Sequence, residues 1–224
     1  MNRDWHFHIS ETVPELGRAT LEHLAGPAVG LSGGATFEKL LPFWRGPKVL
    51  QCMFFPLEER CVGLSQPGSN WMNVIRLLLD PNGLHEQALE WAIDAEALED
   101  VAHGTCGESP DDIPTPDQVW LGLGMDGSVA GLYPYAESLN DLDSIALETT
   151  SPVAPHARVT LGLGPLRRSK EVCIVAIGEF KGRALRQALD GDRDIPLVRL
   201  IENRQATFFI DGPCARAAGI VETP

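Results

Sequence analysis

The sequence predicts an α/β fold, in which helices cover both faces of a mostly parallel, Rossmann-like sheet to give three layers. Short apolar segments alternate along the chain with segments of helical length, as expected when parallel strands are joined by helices. In addition, the apolar run at residues 119–123 leads into a glycine-rich loop. This pattern is typical of a buried strand whose carboxyl end borders a ligand site.

The length and composition of the chain limit the kind of protein it can be. With 224 residues, 44% of them hydrophobic, the chain is long enough for a sizeable core, and we expect one domain over residues 1–224. We expect a cytoplasmic protein, because the chain has neither an apolar run of roughly 20 residues nor a signal-peptide core at its start. A formal net charge of -13 argues against nucleic acid and anionic membranes as partners.

The five cysteines show no pattern of disulfides or metal ligands. Their number is odd, they are scattered along the chain, and none forms a C-x-x-C pair. This distribution favours reduced thiols over a disulfide or zinc framework. The residues are Cys52, Cys61, Cys106, Cys173 and Cys214.

Hydrophobic periodicity and turn residues divide the chain into its elements. Apolar residues spaced three and four apart predict helices, and short apolar runs bounded by glycine or proline predict strands. Ser69 is placed to cap the third helix, and residues 104–117 are expected to form a surface loop. The predicted helices lie at residues 15–24, from Phe37 to Trp44, at 70–79, 86–101, 178–188 and 196–200, and after Asp211. The predicted strands lie at residues 28–31, 49–55, 119–123, 144–149, 159–163, 171–177 and 206–210.

The glycine-rich loop contains the letters of a dinucleotide-binding fingerprint, at Gly122, Gly124 and Gly127. That fingerprint requires a helix that opens in the loop and places its amino terminus on the pyrophosphate. Pro134 ends any such helix after about two turns, since proline removes a backbone donor and clashes with the preceding turn. We therefore reject dinucleotide binding.

Glycine and basic residues near the ends of strands predict a site for an anion. The segment Ser-Gly-Gly at residues 32–34 lies between a strand and a helix, where free backbone N–H groups bind phosphate. Arg60, Arg158 and Lys181 each follow an apolar strand or begin an element. Because the chain is so acidic, an anionic ligand needs a local positive site, and we expect the three side chains to converge on one pocket with the glycine segment.

Five ordered motifs resemble those of the 6-phosphogluconolactonase family, which is related to the glucosamine-6-phosphate deaminases. Each motif alone is weak, but together they are specific and extend over nearly the whole chain. The L-Y-P ending of the central loop favours the lactonases over the deaminases. The motifs are L-S-G-G-A-T at residues 31–36, E-E-R and S-N at 58–60 and 69–70, G-L-G-M-D-G-S-V-A-G-L-Y-P at 122–134, S-P-V-A-P-H-A-R-V-T-L at 151–161, and G-E-F-K at 178–181.

The resemblance implies a fold of the sugar-phosphate isomerase type and a metal-free esterase, without a cofactor. The implied reaction opens 6-phosphogluconolactone, a phosphorylated sugar lactone, to 6-phosphogluconate. The implied substrate and phosphate clamp consists of Ser32, Gly33, Gly34, Arg60, Arg158 and Lys181. The implied catalytic residues are Ser128, Glu58 and Asp126, of which Asp126 shapes the loop.

Two of these residues differ from the family's pattern. Glu58 replaces the aspartate of a D-E-R motif, and Ser128 occupies the position of the histidine proposed as the family's general base. A hydroxyl cannot accept a proton near neutral pH as an imidazole does, and a positioned base is worth about 10² to 10⁴ in rate. His156 and Glu58 are the alternative bases. The alternative functions are a non-catalytic sugar-phosphate-binding protein and a sugar-phosphate isomerase or deaminase.

Overall fold

Six parallel strands form the main sheet of the protein. The computed structural model describes residues 4–63, 66, 68–86 and 115–220. Every neighbouring pair of strands in the main sheet is parallel, which confirms the predicted α/β class. In spatial order the strands are β1 (Trp5–Ser10), β9 (Ala206–Asp211), β8 (Glu171–Ala176), β5 (Gln118–Gly122), β2 (Ala28–Leu31) and β3 (Met53–Pro56).

Three further strands form a small antiparallel sheet, in the order β4 (Glu58–Arg60), β7 (Ala157–Leu161) and β6 (Ala146–Thr150). A single residue, Leu57, separates β3 from β4, and a proline-rich segment at residues 151–156 joins β6 to β7. The prediction that strands and helices alternate throughout is therefore wrong at these two places. The charged residues of β4 gave no apolar run from which a strand could be recognised.

Helices flank the main sheet, and most of them are short. Beyond the α-helices, a π-helix at Ile75–Leu79 continues the fourth helix, and 3₁₀ turns lie at Leu41–Phe43, Asp80–Asn82 and Glu137–Asn140. Within the described parts of the chain, the α-helices are α1 (Val13–His23), α2 (Ala35–Leu40), α3 (Pro47–Leu50), α4 (Asn70–Val74), α5 (Leu163–Arg168), α6 (Glu179–Leu189), α7 (Pro196–Ile201) and α8 (Gly212–Ala217).

The side chains of each main-sheet strand alternate between two apolar cores, one on each face. In β5, Trp120 belongs to one core, while Val119 and Leu121 belong to the other. The core around Trp120 also contains side chains of α1, α2 and α4, whereas the core around Val119 contains those of α5, α6, α7 and α8. Helices therefore cover both faces, which confirms the predicted three layers.

The structure corrects the boundaries of two predicted strands and adds a strand that was not predicted. The predicted strand at 49–55 begins only at Met53, because Pro47, a favourable residue at the start of a helix, opens α3 ahead of it. The predicted strand at 159–163 begins at Ala157 and ends at Leu161, and α5 then begins at Leu163. Strand β1 was not predicted, although its residues alternate strictly between apolar (Trp5, Phe7, Ile9) and polar (His6, His8, Ser10), a pattern typical of a strand.

Several sequence predictions concern segments between these elements. Residues 123–136 contain no α-helix, in agreement with the rejection of dinucleotide binding. The predicted helix at 86–101 and the loop at 104–117 lie largely outside the described residues. Among the residues that the structure describes, no helix is both long enough and apolar enough to cross a membrane.

Candidate functional site

Three loops of the candidate site leave the same edge of the main sheet. Strands β2, β5 and β8 are neighbours and run parallel, so the segments after their carboxyl ends lie side by side. These segments contain the glycine segment at 32–34, the loop at 123–134 and Gly178 at the start of α6. Hydrogen bonds join the first two loops to the neighbouring strand: Ser32 N, after β2, donates to Trp120 O of β5 at 3.0 Å, and Leu123 N, after β5, donates to Val175 O of β8 at 3.0 Å.

The glycine segment after β2 packs tightly against the start of α4. A Cβ added to Gly33 would lie 2.1 Å from the backbone oxygen of Asn70, so only glycine fits this position without movement. Asn73 Nδ2 also donates to Gly33 O at 3.3 Å. By contrast, a Cβ added to Gly34, the N-cap residue of α2, would meet no atom within 4 Å. One glycine of the pair is therefore needed for packing and the other faces open space.

The buried carboxylate of Glu59 fixes α4 to the small sheet. Its oxygens accept hydrogen bonds from Ser69 Oγ at 2.8 Å, Asn70 N at 2.7 Å and Trp71 N at 2.8 Å. Glu59 is 2% exposed, so these donors replace the water that a charged group would otherwise bind. Ser69 also caps α4 through Met72 N, which confirms the predicted cap.

Two buried polar atoms beside the glycine segment have no hydrogen-bond partner among the described residues. They are Ser32 Oγ and Asn70 Oδ1. Most buried polar side-chain atoms in folded proteins have a partner, and exceptions are found at sites of function or strain. Both residues lie in motifs that the sequence analysis associated with the site, and both contribute to the walls around the glycine segment.

One face of the small sheet brings together four of the polar side chains. Arg60 pairs in register with Arg158, and Glu58 pairs with Thr160. Residues in register on antiparallel strands share a face, as do residues two apart on one strand, so all four side chains lie on the same face. From the sequence, both arginines were expected next to strands of the mostly parallel sheet. They lie instead in the small antiparallel sheet, where the register brings their Cα atoms together.

The guanidinium groups of both arginines also contact backbone oxygens. Arg60 Nη1 donates to Gly68 O at 2.6 Å, and Arg158 Nη1 donates to Pro155 O. Arg158 is 7% exposed, so its charge lies within the protein. These bonds fix the direction of each side chain and use part of its five-donor capacity.

The loop after β5 lies on this same face of the small sheet. Thr160 Oγ1 donates to Ala130 O, and Thr149 Oγ1 donates to Gly131 O at 2.7 Å. A Cβ added to Gly131, whose φ is +68°, would lie 3.1 Å from Glu58 Oε2. The loop that contains Ser128 is therefore held against Glu58 by backbone and threonine contacts.

The carboxyl group of Glu58 has a strongly perturbed acidity. Part of the residue's surface is exposed, but its carboxyl group is surrounded by protein, and this burial raises its pKa to about 7. The nearby positive charge of Arg158 opposes the rise, the charge of Glu59 adds to it, and Arg60 opposes it again. A carboxyl group with a pKa near neutrality can both accept and donate a proton at working pH.

Asp126, two residues before Ser128, accepts two hydrogen bonds from it. The serine's Oγ donates to Asp126 Oδ1 at 2.6 Å, and its backbone N–H donates to the same oxygen at 3.0 Å. Gly124 N donates to Ser128 O at 2.7 Å and closes the turn, in which Gly127 has a φ of +86°. Asp126 thus shapes the loop, and the hydroxyl of Ser128 is oriented by a carboxylate.

Lys181 extends from the first turn of α6 to the second residue of α2. Its Nζ donates to Thr36 Oγ1, which links the loop after β8 to the helix after β2. Burial lowers the pKa of Lys181 to about 8, the positive charge of Lys39 lowers it further, and the negative charge of Asp126 opposes this decrease.

His156, the alternative base, lies at the exposed end of the hairpin between β6 and β7. Its Nδ1 and Ser151 O are 2.9 Å apart, so the ring contacts the backbone of its own hairpin. The contacts that join the Ser128 loop to the small sheet involve Thr149, Thr160 and Glu58 instead. Of the two alternative bases, Glu58 is the one packed against that loop.

Three residues of the site were not singled out from the sequence. Glu59 and Thr36 belong to recognised motifs, but no local pattern indicates that Glu59 anchors α4 or that Thr36 accepts a hydrogen bond from Lys181. Lys39 lies one helical turn after Thr36, and this spacing is the one signal that could have placed it near the site. The binding and catalytic roles of the predicted residues stay predictions.

A family model described as "Glucosamine-6-phosphate isomerases/6-phosphogluconolactonase" matches residues 8–209. The chain belongs to this family. The match begins in β1 and ends in β9, so it includes the glycine segment, the small sheet and all three loops of the candidate site.

Curated relatives in the family are similar to the chain at modest identity. The Homo sapiens "GDH/6PGL endoplasmic bifunctional protein" is 29% identical over 167 residues, which are 68% of this chain and 21% of that protein. The chain thus spans about a fifth of that relative. A Schizosaccharomyces pombe protein named "Probable 6-phosphogluconolactonase" is 27% identical over 221 residues, with 89% of this chain and 86% of that protein covered.

Solved structures of the family show the same fold. The 6-phosphogluconolactonase from Leishmania guyanensis superposes with a TM-score of 0.77 at 20% identity, and 98% of this chain and 99% of that chain are covered. A monomeric glucosamine-6-phosphate deaminase superposes less closely, with a TM-score of 0.65 at 18% identity over 95% of this chain and 99% of that one. At these identities the structures establish the fold, and the activity requires a separate argument.

Proposed function

We propose that this protein hydrolyses 6-phosphogluconolactone to 6-phosphogluconate. The proposal rests on the position of Glu58, which faces the Ser128 loop and shares a sheet face with Arg60 and Arg158. At that position its carboxyl group has a pKa of about 7. The curated relatives named as 6-phosphogluconolactonases support the same reaction. A group that can exchange a proton near neutral pH, beside basic residues that attract a phosphorylated substrate, suits the hydrolysis of a phosphorylated lactone.

Substrate binding in this proposal depends on positive groups gathered in an acidic chain. The chain has a formal net charge of -13, so an anionic substrate is repelled at long range and needs a local cluster of donors. Arg60, Arg158 and Lys181 supply positive charge, and the backbone N–H groups after β2 supply further donors. Ser32 and Asn70 lie at the glycine segment, and their buried Oγ and Oδ1 atoms have no hydrogen-bond partner among the described residues.

The chemical step requires a water molecule, a base and a protonated leaving group. Glu58 accepts a proton from the water as its oxygen attacks the lactone carbonyl carbon. The bond between that carbon and the ring oxygen then breaks, and the protonated Glu58 returns the proton to the ring oxygen, which leaves as a hydroxyl. The sum is one lactone and one water converted to one carboxylic acid, and Glu58 ends in its starting state.

Ser128 and Asp126 have a positioning role in this scheme. The hydroxyl of Ser128 donates to Asp126, and a hydroxyl does not remove a proton from water near neutral pH. The pair fixes the turn that lies against the small sheet. Glu58 therefore takes the part that a histidine at position 128 has in the family's proposed mechanism.

The test is hydrolysis of 6-phosphogluconolactone by the purified protein, measured above the spontaneous rate, together with binding of 6-phosphogluconate by calorimetry. We expect both turnover and binding. Binding without excess hydrolysis would instead identify a sugar-phosphate-binding protein that lacks catalysis. Neither binding nor hydrolysis at millimolar concentration would contradict the proposal altogether.

A further inference from the structure

A second cluster of polar side chains lies at the opposite edge of the main sheet, where the strands begin. Glu171 is the first residue of β8, Cys173 lies on the same face two residues later, and His23 ends α1. The carboxylate, thiol and imidazole ligand atoms of these three residues all lie within 4.8 Å of one another. We propose that His23, Glu171 and Cys173 bind one zinc ion, and this proposal does not depend on the proposed function.

The ligand chemistry favours zinc among the common metals. Zinc binds imidazole nitrogen, carboxylate oxygen and thiolate sulfur together, whereas magnesium and calcium require oxygen ligands. Three protein ligands leave a fourth tetrahedral position for water. One nitrogen, one oxygen and one sulfur ligand are therefore enough protein ligands for a zinc site whose fourth position is open to water.

Small movements convert the observed arrangement into a tetrahedral one. Zinc lies about 2.0–2.3 Å from its ligands, so tetrahedral ligand atoms are about 3.3–3.6 Å apart. His23 Nε2 and Glu171 Oε1 are 2.7 Å apart and must separate slightly, while the thiol must approach. The required shifts are about 1 Å, which side-chain rotation supplies without a change in β8.

Residues of neighbouring strands already fix the orientation of the Glu171 carboxylate. Gln118 Nε2 donates to its Oε2 at 2.7 Å, and Thr207 Oγ1 donates to its Oε1 at 3.0 Å. Such hydrogen bonds to a ligating carboxylate are typical of protein metal sites, where they orient the ligand. The donors belong to β5 and β9, so a bound ion would be held against three strands of the main sheet.

The exposure of the three ligands provides an entry path for the ion. The side chains of His23 and Glu171 are 29% and 30% exposed, while Cys173 is 0% exposed. Zinc would enter past the imidazole and the carboxylate and reach the thiol at the floor. Its binding replaces the hydrogen bond between His23 Nε2 and Glu171 Oε1, whose proton moves to Nδ1 of a neutral ring or leaves to solvent from a charged one. The thiol proton of Cys173 is also released to solvent as the Zn–S bond forms.

This zinc site would stabilise the fold and take no part in hydrolysis. The candidate active site lies at the carboxyl ends of β5 and β8, and the cluster lies near their amino ends. Strands of this length separate the two edges by about 15–20 Å. The family resemblance implies catalysis without a metal. A structural zinc ion at the other edge of the sheet is compatible with that.

Cobalt is the probe that reports on the ligands themselves. Protein freed of metal by a chelator is titrated with Co²⁺ and followed by absorption. We expect one equivalent to produce an intense near-ultraviolet thiolate-to-cobalt band, which Zn²⁺ then removes. Zn²⁺ added to the metal-free protein should also raise Tm in a concentration-dependent way, because it binds only the folded chain.

Matched variants decide whether the named residues bind the ion. Cys173→Ser should lose the thiolate band, and His23→Gln should weaken Co²⁺ binding by about tenfold or more. Cys52→Ser and His6→Gln change the same residue types outside the cluster and should retain the band. A missing band in the unchanged protein, or a band that remains in Cys173→Ser, overturns the proposal. Should Cys173→Ser fail to fold, unchanged Co²⁺ affinity in His23→Gln overturns it instead.

Discussion

The carboxyl group of Glu58 is surrounded by protein and lies on the same sheet face as Arg60 and Arg158. Its pKa of about 7 allows its proposed role as a base to be tested by varying pH. We expect Glu58→Gln to lower kcat for 6-phosphogluconolactone by about 10² to 10⁴, the contribution of a positioned base. In the unchanged protein the proposed base must be deprotonated to act, so kcat/KM, which reports the free protein, should rise with pH up to about 7 and level off above it. Initial rates at several pH values, corrected for spontaneous hydrolysis, provide the measurement.

A double variant separates loss of the base from loss of the fold. Ser128→His places an imidazole beside Asp126, at the position that holds a histidine in the family's pattern. Added to Glu58→Gln, this change should recover part of the lost rate while 6-phosphogluconate binding is retained. If Glu58→Gln alone keeps the full rate, Glu58 is not the base.

The same carboxyl group should make stability depend on pH. Its pKa is raised by burial from 4.5 in the unfolded chain to about 7, so between these values the folded state binds more protons than the unfolded state. The free energy of unfolding therefore falls as pH rises from about 4.5 to about 7, by at most about 1.4 kcal/mol per pH unit. Urea unfolding of Glu58→Gln should show a stability gain over the unchanged protein that grows across this range. Glu137→Gln, an exposed control, should give a constant difference.

At the residue scale, the sequence motifs suggested which residues could form the site but could not predict what surrounds them. The motifs singled out Glu58 and Ser128, and their catalytic roles stay predictions. The burial that raises the pKa of Glu58 depends on the Gly131 loop, which arrives from more than seventy positions later in the chain. The His23, Glu171 and Cys173 cluster was missed for the same reason, since cysteine spacing carries no information about a distant histidine.

Among the secondary-structure elements, the glycine segment before α2 offers a matched pair of substitutions. Gly33→Ala forces a Cβ to within 2.1 Å of Asn70 O, so the segment must move away from α4. Overpacking of this kind costs about 1–3 kcal/mol, and the movement should also weaken 6-phosphogluconate binding. Gly34→Ala, which meets open space at a φ of -76°, should preserve the free energy of unfolding. Equal unfolding midpoints in urea for the two variants would contradict this packing argument.

The elements themselves were predicted well where their signals were local. The apolar strand β2 and the capped helix at 70–79 were found at their expected positions. Strand β4 was missed as a strand because three charged residues, Glu58, Glu59 and Arg60, show no apolar run. Its pairing with β7, about a hundred residues later, is a property of the folded chain that no local pattern encodes.

On the scale of the whole molecule, a locally positive site in a chain of net charge -13 predicts selectivity for phosphorylated ligands. We expect 6-phosphogluconate to raise Tm and gluconate to leave it unchanged. A ligand that binds only the folded state stabilises it by about 2.7 kcal/mol at 100 times its Kd. Differential scanning fluorimetry with both ligands provides the comparison.

Two lysine variants test whether the protection by 6-phosphogluconate depends on the candidate site. Lys181→Ala should reduce protection by 6-phosphogluconate, since it removes a positive charge at the carboxyl edge of the sheet. Lys170→Ala removes the same charge from an exposed ion pair with Asp117 near the opposite edge, and protection should be retained. Protection by gluconate equal to that by 6-phosphogluconate would rule out the phosphate clamp.

The order of strands in the main sheet has a consequence for how the protein is made. Strand β1 pairs with β9 from Trp5 opposite Ala206 to Ser10 opposite Asp211, so a ribosome releases the first strand long before its partner is synthesised. During that interval the backbone of β1 is an unpaired edge that other extended chains can join. Contacts between such distant segments form slowly, because a very long loop must close before any pairing stabilises it. The nascent chain therefore completes its sheet only after β9 has been synthesised, and until then β1 is an exposed edge that a chaperone would protect.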